Sequence, residues 1–227
     1  MVDLKKNPDS IELKTSSEED KLRGRLKELL LKNKIPQNQI LSNLGLFLDS
    51  KHLSRILLID HLFKLTVGVH GDIFEFGTRW GQNSSLFSAL RGIYEPFNRH
   101  KKIIAFDTFE GFPDIHKKDG THQMMFKGAL KTHDKYEKFL NEILYIQEKL
   151  NPLSHIKKFE IIKGDAVKEF PKYILKNQHT IISLAYFDFD IYEPTKELLK
   201  LIKPRLVRGS VLAFDELNDP DSPGETL

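Results

Sequence analysis

Asp188 and Asp190 close one apolar run of this chain, and Asp215 with Glu216 closes the next, with no Lys or Arg beside either pair. If the two runs are adjacent strands, several carboxylates converge at one sheet edge. Like charges so placed raise one another's pKa unless a cation neutralises them. A hard, oxygen-seeking divalent ion such as Mg²⁺, held by Asp188, Asp215 and Glu216 while keeping water or substrate oxygens, is the economical answer. A plainer reading stays open for Asp190, which could cap a helix beginning at Pro194, as could Glu193.

Upstream, FEFGTRWGQNSS runs from a strand-like segment into a helical one and sets Glu75, Gly77 and Gly81 at the turn. Glycines there let the backbone approach a ligand closely, and the helix N-terminus favours a negative group such as a carboxylate. The spacing is GxxxG, neither the GxGxxG of the dinucleotide fold nor a P-loop, so a plain tight turn explains it equally. Asp107 follows about 30 residues later, where such folds hold the two hydroxyls of a ribose; a turn cap is the alternative. Asp165 and the backbone of Ala166 could read an adenine edge or do ordinary loop work. The path from Phe109 to His133 far exceeds the usual 2 to 6 residues of such a connection and reads as a lid. It holds His116, His122 and His133, which are solvated by default and base candidates otherwise. None of the nine histidines has HxxxH or HExxH spacing. Trp80, Met124 and Met125 could touch a ligand or simply pack.

The elements that must position these residues alternate from Gly71 onward between short apolar runs and helical patterns, as in an α/β fold with a mostly parallel, Rossmann-like sheet. Five strands are expected, at 72–77, 102–109, 159–165, 181–190 and 209–217, with helices at 82–93, 134–150, 166–176 and 194–203. In an open sheet of this kind ligands bind beyond the carboxyl ends of the strands, where the strand order reverses. Before Gly71 the texture is helical: SSEED opens a stretch with Leu22, Leu26, Leu29 and Leu30 at helical spacing, Pro36 stops it, and a second helix runs from about His52 to Thr66. Residues 1–50 thus read as an N-terminal helical cap and 51–227 as the α/β domain.

Composition narrows the function classes. Thirty-five Lys and Arg against 32 Asp and Glu leave a net charge of +3, too mild to argue for nucleic acid. The absence of cysteine removes disulfides, thiolate metal sites and cysteine nucleophiles. The polar, acid-bearing N-terminus is not a targeting peptide, and no apolar run approaches the roughly 20 residues of a membrane helix. A soluble, cytoplasmic protein without a membrane partner is expected.

In order, EFGTRWG, AFDTFEGFP, KGD, YFDFDIYEPT and AFDELNDP resemble the class I S-adenosylmethionine-dependent methyltransferases, and more narrowly the macrocin and mycinamicin O-methyltransferase family, over about residues 52–227. The resemblance implies transfer of a methyl group to a hydroxyl of a sugar, sugar nucleotide or small phosphorylated metabolite, in glycan or natural-product biosynthesis, with Mg²⁺. It also implies that Glu75, Gly77, Thr78, Gly81 and Ser84 surround the methionine part of the cofactor. Asp107 with Thr108 would hold the ribose side, Asp165 with Ala166 the adenine, and Asp188 would stand between cofactor and metal. Asp188, Asp215 and Glu216 would be the metal ligands, although the family's second acidic position is often Asp. Asp188 and Asp190 are the catalytic candidates, with Asp190 or a lid histidine accepting the proton. The alternatives are an NAD(P)-binding sugar-modifying enzyme and a non-catalytic methyltransferase-like subunit. Such sheets normally have seven strands, so a chain ending ten residues after the fifth is expected to be truncated or to borrow its edge from a partner, which leaves a homo-oligomer open.

Overall fold

The computed structural model describes residues 16–227. They divide into two compact units, 16–58 and 59–227, each described by itself. In the first, α1 (Ser17–Leu31) opens on a reciprocal capping box: Glu19 N donates to Ser16 Oγ, and Ser16 N donates to the Glu19 carboxylate. Two 3-10 turns, Gln37–Gln39 and Leu41–Phe47, follow. Arg23 on α1 pairs with Asp49 at 3.1 Å, and Asp49 accepts from His52 N in the first turn of α2 (Ser50–Leu65).

The second unit carries the sheet. Its strands are β1 (Asp72–Phe76), β2 (Ile103–Asp107), β3 (Phe159–Lys163), β4 (Ile182–Phe187) and β5 (Leu206–Phe214). The helices of this unit are α3 (Gln82–Tyr94), α4 (Tyr136–Leu150), α5 (Ala166–Lys176) and α6 (Tyr192–Ile202). All pairings are parallel and the order is β3-β2-β1-β4-β5. The order reverses between β1 and β4, and the region beyond their carboxyl ends is where open sheets of this kind bind ligands.

Strand alternation sorts the core. Phe74, Phe76, Ile104, Phe106, Ala185 and Phe187 face α5 and α6, meeting Phe170, Tyr173, Leu198 and Ile202. Ile73, Ile103, Leu184 and Tyr186 face the other way, against Ile59, Phe63 and Phe87. With both faces covered, β1 and β4 are buried along their whole length. A buried ionic knot ties the second face together: Arg91 of α3 donates to both oxygens of Glu148 on α4 at 2.8 and 2.9 Å, and Lys158, just before β3, reaches the same carboxylate at 2.7 Å.

Several expected boundaries move, three of them near the acidic residues. β4 stops at Phe187 instead of running to 190, and three residues on Asp190 takes a left-handed φ of 60°. β5 begins and ends three residues earlier than 209–217. Helix α6 starts at Tyr192, which places Pro194 third in the helix, and its N-cap residue Ile191 makes no side-chain cap; neither Asp190 nor Glu193 caps it. Among the described residues no helix is long and apolar enough to cross a membrane.

Asp72, the first residue of β1, is buried, and desolvation pushes its pKa up to about 6 against one hydrogen bond from Lys102 N at 2.7 Å. Its charged form is disfavoured in the fold, so the cost is absent below the ordinary carboxylate pKa, grows as pH rises toward 6, and is complete above it. Asp72→Asn, which keeps an acceptor for Lys102, is therefore expected to stabilise the protein by up to about 3 kcal/mol at pH 7 and hardly at all at pH 4. Urea denaturation at the two pH values checks this; an equal effect at both would show that the charge is not the cause.

Candidate functional site

The turn after β1 is shaped by a buried polar triad. Glu75 accepts from Thr78 Oγ1 at 2.7 Å and from the Ser84 hydroxyl, and all three side chains are buried. They are brought together as expected, and their contacts with one another hold the turn. Gly77 (φ 92°) lies against the chain after β4, and a Cβ there would overlap the Asp188 carbonyl. Gly81 (φ 79°) is the N-cap of α3 and has no side-chain capping bond, so the first amides of α3 are available to an anion. Asn83, in that first turn, is 4% exposed and its Oδ1 has no hydrogen-bond partner, an orphaned acceptor at the mouth of the helix.

Asp107 ends β2. Its Oδ2 accepts from Arg79 N at 2.7 Å and its Oδ1 from Phe109 N at 2.5 Å. Burial raises its pKa against these two amides. The cap reading is realised, and lone pairs remain for a further donor such as a sugar hydroxyl. Thr108 bridges the next turn, donating to Gly111 O and accepting from Glu110 N. Asp165 caps α5 by accepting from Val167 N at 3.0 Å, with Ala166 buried as the first helical residue. Trp80 stands in the glycine turn, 38% exposed, edge-on to Tyr136 at 4.9 Å, with His133 at 6.2 Å and the Arg79 guanidinium 5.4 Å from its ring.

The acidic residues converge because β4 and β5 are neighbours. Asp188 N donates to Phe76 O and Asp215 N to Phe187 O, which fixes both at the strand ends. The Asp215 carboxylate accepts from the Tyr186 hydroxyl. Burial, then the charges of Glu216, Glu225 and Asp215, push the Asp190 pKa up to about 8, with Arg79 opposing. Burial, then Asp215, push Glu216 up to about 7. This set of hard oxygens suits a divalent cation chemically. It is not a ready-made ligand shell, however: among the described residues no three His, Cys, Asp or Glu side chains are grouped to hold a metal ion.

Residues 108–135 contain turns and bends but neither helix nor strand, and they fold on themselves. Phe112 N donates to Ala129 O and Gly128 N to Phe112 O. Met125, with Phe126 and Leu130, packs against the buried cluster of Phe112, Ala129 and Ile191, which is the packing reading of that methionine. His116 stacks on Tyr192 at 5.2 Å, and His122 Nδ1 accepts from Met124 N. Asp119, 1% exposed, accepts from His116 N and from Tyr192 N, both at 2.7 Å, so it joins the segment to the start of α6. Asp119, Asn83 and Glu225 escape a reading by motif: their partners lie far along the chain or, for Asn83, are missing.

No family model and no curated protein matches the chain. Solved structures do. CalS11, the calicheamicin methyltransferase, superimposes with a TM-score of 0.92 at 39% identity, over 94% of this chain and 84% of that one. A second, apo structure titled as the TDP-rhamnose 3'-O-methyltransferase of calicheamicin biosynthesis gives 0.82 at 37%, over the same shares. The O-methyltransferase NovP, at 18% identity and a TM-score of 0.53 over 77% of this chain and 69% of that one, shares the fold.

Proposed function

The chain belongs to the class I S-adenosylmethionine-dependent sugar O-methyltransferases, and from that membership we propose that it methylates a hydroxyl of a nucleotide-linked deoxysugar in natural-product biosynthesis. One observation carries the reading: the glycine turn, Asp107 and the acidic strand ends meet at one switch point, in a chain 39% identical to a calicheamicin methyltransferase. That membership removes the NAD(P) alternative and the non-catalytic one.

S-adenosylmethionine supplies an already activated sulfonium methyl, so the protein's task is to align an oxygen with it and take up a proton. Asp107, steadied by two amides, accepts from the ribose hydroxyls. The uncapped N-terminus of α3 receives the methionine carboxylate, with Asn83 Oδ1 offered to a donor nearby. Thr108, Asp165 and Ala166 border the adenosine side, and Glu75, Thr78 and Ser84 keep the turn in shape. Asp188 and Asp190 stand where the acceptor hydroxyl must come, and Asp190 takes its proton. Alignment of the two reactants supplies several kcal/mol more. Asp188, Asp215 and Glu216 would hold Mg²⁺ or another hard divalent ion, which when bound lowers the pKa of a coordinated hydroxyl.

The test is a thermal-shift titration followed by mass spectrometry. S-adenosylhomocysteine at about a hundred times its Kd is expected to raise Tm by roughly 5–10 °C, and NAD to leave it unchanged. A further rise on adding Mg²⁺ supports the metal ligands named above, and an unchanged Tm counts against them. A nucleoside-diphosphate deoxysugar such as TDP-rhamnose should gain one methyl; none across a panel of such sugars would sink the reading.

A further inference from the structure

Glu225 is a buried carboxylate that the mechanism just described does not use. Glu225, 6% exposed, ends the 3-10 turn Pro223–Glu225. Its Oε1 accepts from Phe189 N at 2.8 Å and Asp190 N at 3.2 Å, and its Oε2 accepts from Glu216 N at 3.1 Å. One side chain thereby closes two loops at once, the one after β4 and the one after β5. The amides it holds belong to Asp190 itself and to the residues that follow Asp188 and Asp215.

The loop after β4 needs such a hold. Asp190 sits at φ 60°, a sparsely populated conformation for a residue with a Cβ, and it persists only where the surroundings over-determine it. Glu225 fixes the amides of residues 189 and 190, and Asp119 fixes the Tyr192 amide two residues on. The residue before Glu225 is built to let the carboxylate in. A Cβ on Gly224 would lie 2.7 Å from both Asp190 O and Tyr192 N and 2.8 Å from Asp119 Oδ1. Burying a carboxylate is costly unless it is fully hydrogen-bonded, and three amide donors are the compensation found here.

We propose that Glu225 is a positioning residue for methyl transfer: by pinning the amides of Phe189, Asp190 and Glu216 it sets the direction in which Asp190 presents its carboxylate to the acceptor hydroxyl. The proposal rests on the reading that Asp190 faces the acceptor hydroxyl, and it is carried by the three amide contacts of Glu225 and the φ of 60° at Asp190. A displacement on the order of 1 Å at such a group costs about a hundredfold in rate, so loss of the pin should be felt in turnover more than in binding.

A double-mutant cycle separates the two ideas, with S-adenosylmethionine and TDP-rhamnose as substrates. Glu225→Ala is expected to lower kcat by about tenfold or more and to leave the KM for S-adenosylmethionine within about twofold. In an Asp190→Asn background the same change should cost less than about twofold, since the group it orients is gone. Glu225→Gln keeps an acceptor for Phe189 and Asp190 and should restore most of the turnover. Hydrogen exchange should show faster amides in 186–192 and 214–218 of Glu225→Ala and little change elsewhere. Additive losses in the cycle, a fall in cofactor affinity that matches the fall in kcat, or unchanged exchange would each overturn the positioning role. Full activity of Asp190→Asn would overturn this role by moving the proton to another group, whereas no turnover by the wild type would overturn the functional reading itself.

Discussion

Asp190→Asn is expected to lower methyl transfer by at least about a hundredfold, within the range of a lost general base, while affinity for S-adenosylhomocysteine stays within about threefold of wild type. The substitution is chosen for its backbone. Asn tolerates the left-handed region nearly as well as Asp, so the φ of 60° at this position can be kept and the Glu225 contact with its amide preserved. What changes is the ability to accept a proton. The carboxyl is held near neutrality by burial first and by the charges of Glu216, Glu225 and Asp215 after it; the amide does not titrate at all. Single-turnover rates with the wild-type acceptor, set beside calorimetric binding of the demethylated cofactor, check the prediction. Turnover within threefold of wild type would move the proton to another group, with His116 and His133 next in line.

Glu148→Ala is expected to cost about 3–5 kcal/mol of stability, because it removes the carboxylate that two buried cations share. Arg91 and Lys158 are both under 3% exposed, and each turns a charge-assisted bond on the same carboxylate. Lys158 also donates to Leu153 O and Ile156 O, and its own backbone N donates to Glu148 Oε2, so the knot holds the approach to β3 as well as α3 against α4. Glu148→Gln keeps the shape and one acceptor and should fall between wild type and Ala. Urea midpoints read this directly. A loss under 1 kcal/mol would mean that the cations reach water once the carboxylate is removed.

Much of this molecule was legible from one-dimensional pattern. The alternation of short, mostly apolar segments such as β1 and β4 with helical patterns announces a parallel sheet, and α5 falls at 166–176 as its periodicity predicted. The neighbourhood of β4 and β5, and with it the meeting of Asp188 and Asp190 with Asp215 and Glu216, followed from topology alone. What local pattern could not carry was the partner of each polar group. Thr78 and Ser84 turn inward to Glu75, Asp165 caps its own helix, and the hold on the α6 N-terminus comes from Asp119, 73 residues away. Glu225 offers no motif, since its meaning lies in three amides that only the folded chain brings to it. A spacing rule reports which side chains share a face; it is silent on which of them are already satisfied.

The sequence contains a single tryptophan, and it is the residue standing in the glycine turn. Trp80 is partly solvated, edge-on to Tyr136 and beneath the Arg79 guanidinium, while Arg79 N is fastened to Asp107. Selectively excited indole emission from this protein therefore originates at one address, beside the carboxylate assigned to the ribose. The molecule carries its own optical reporter, and no label is needed to time what enters and leaves the crevice.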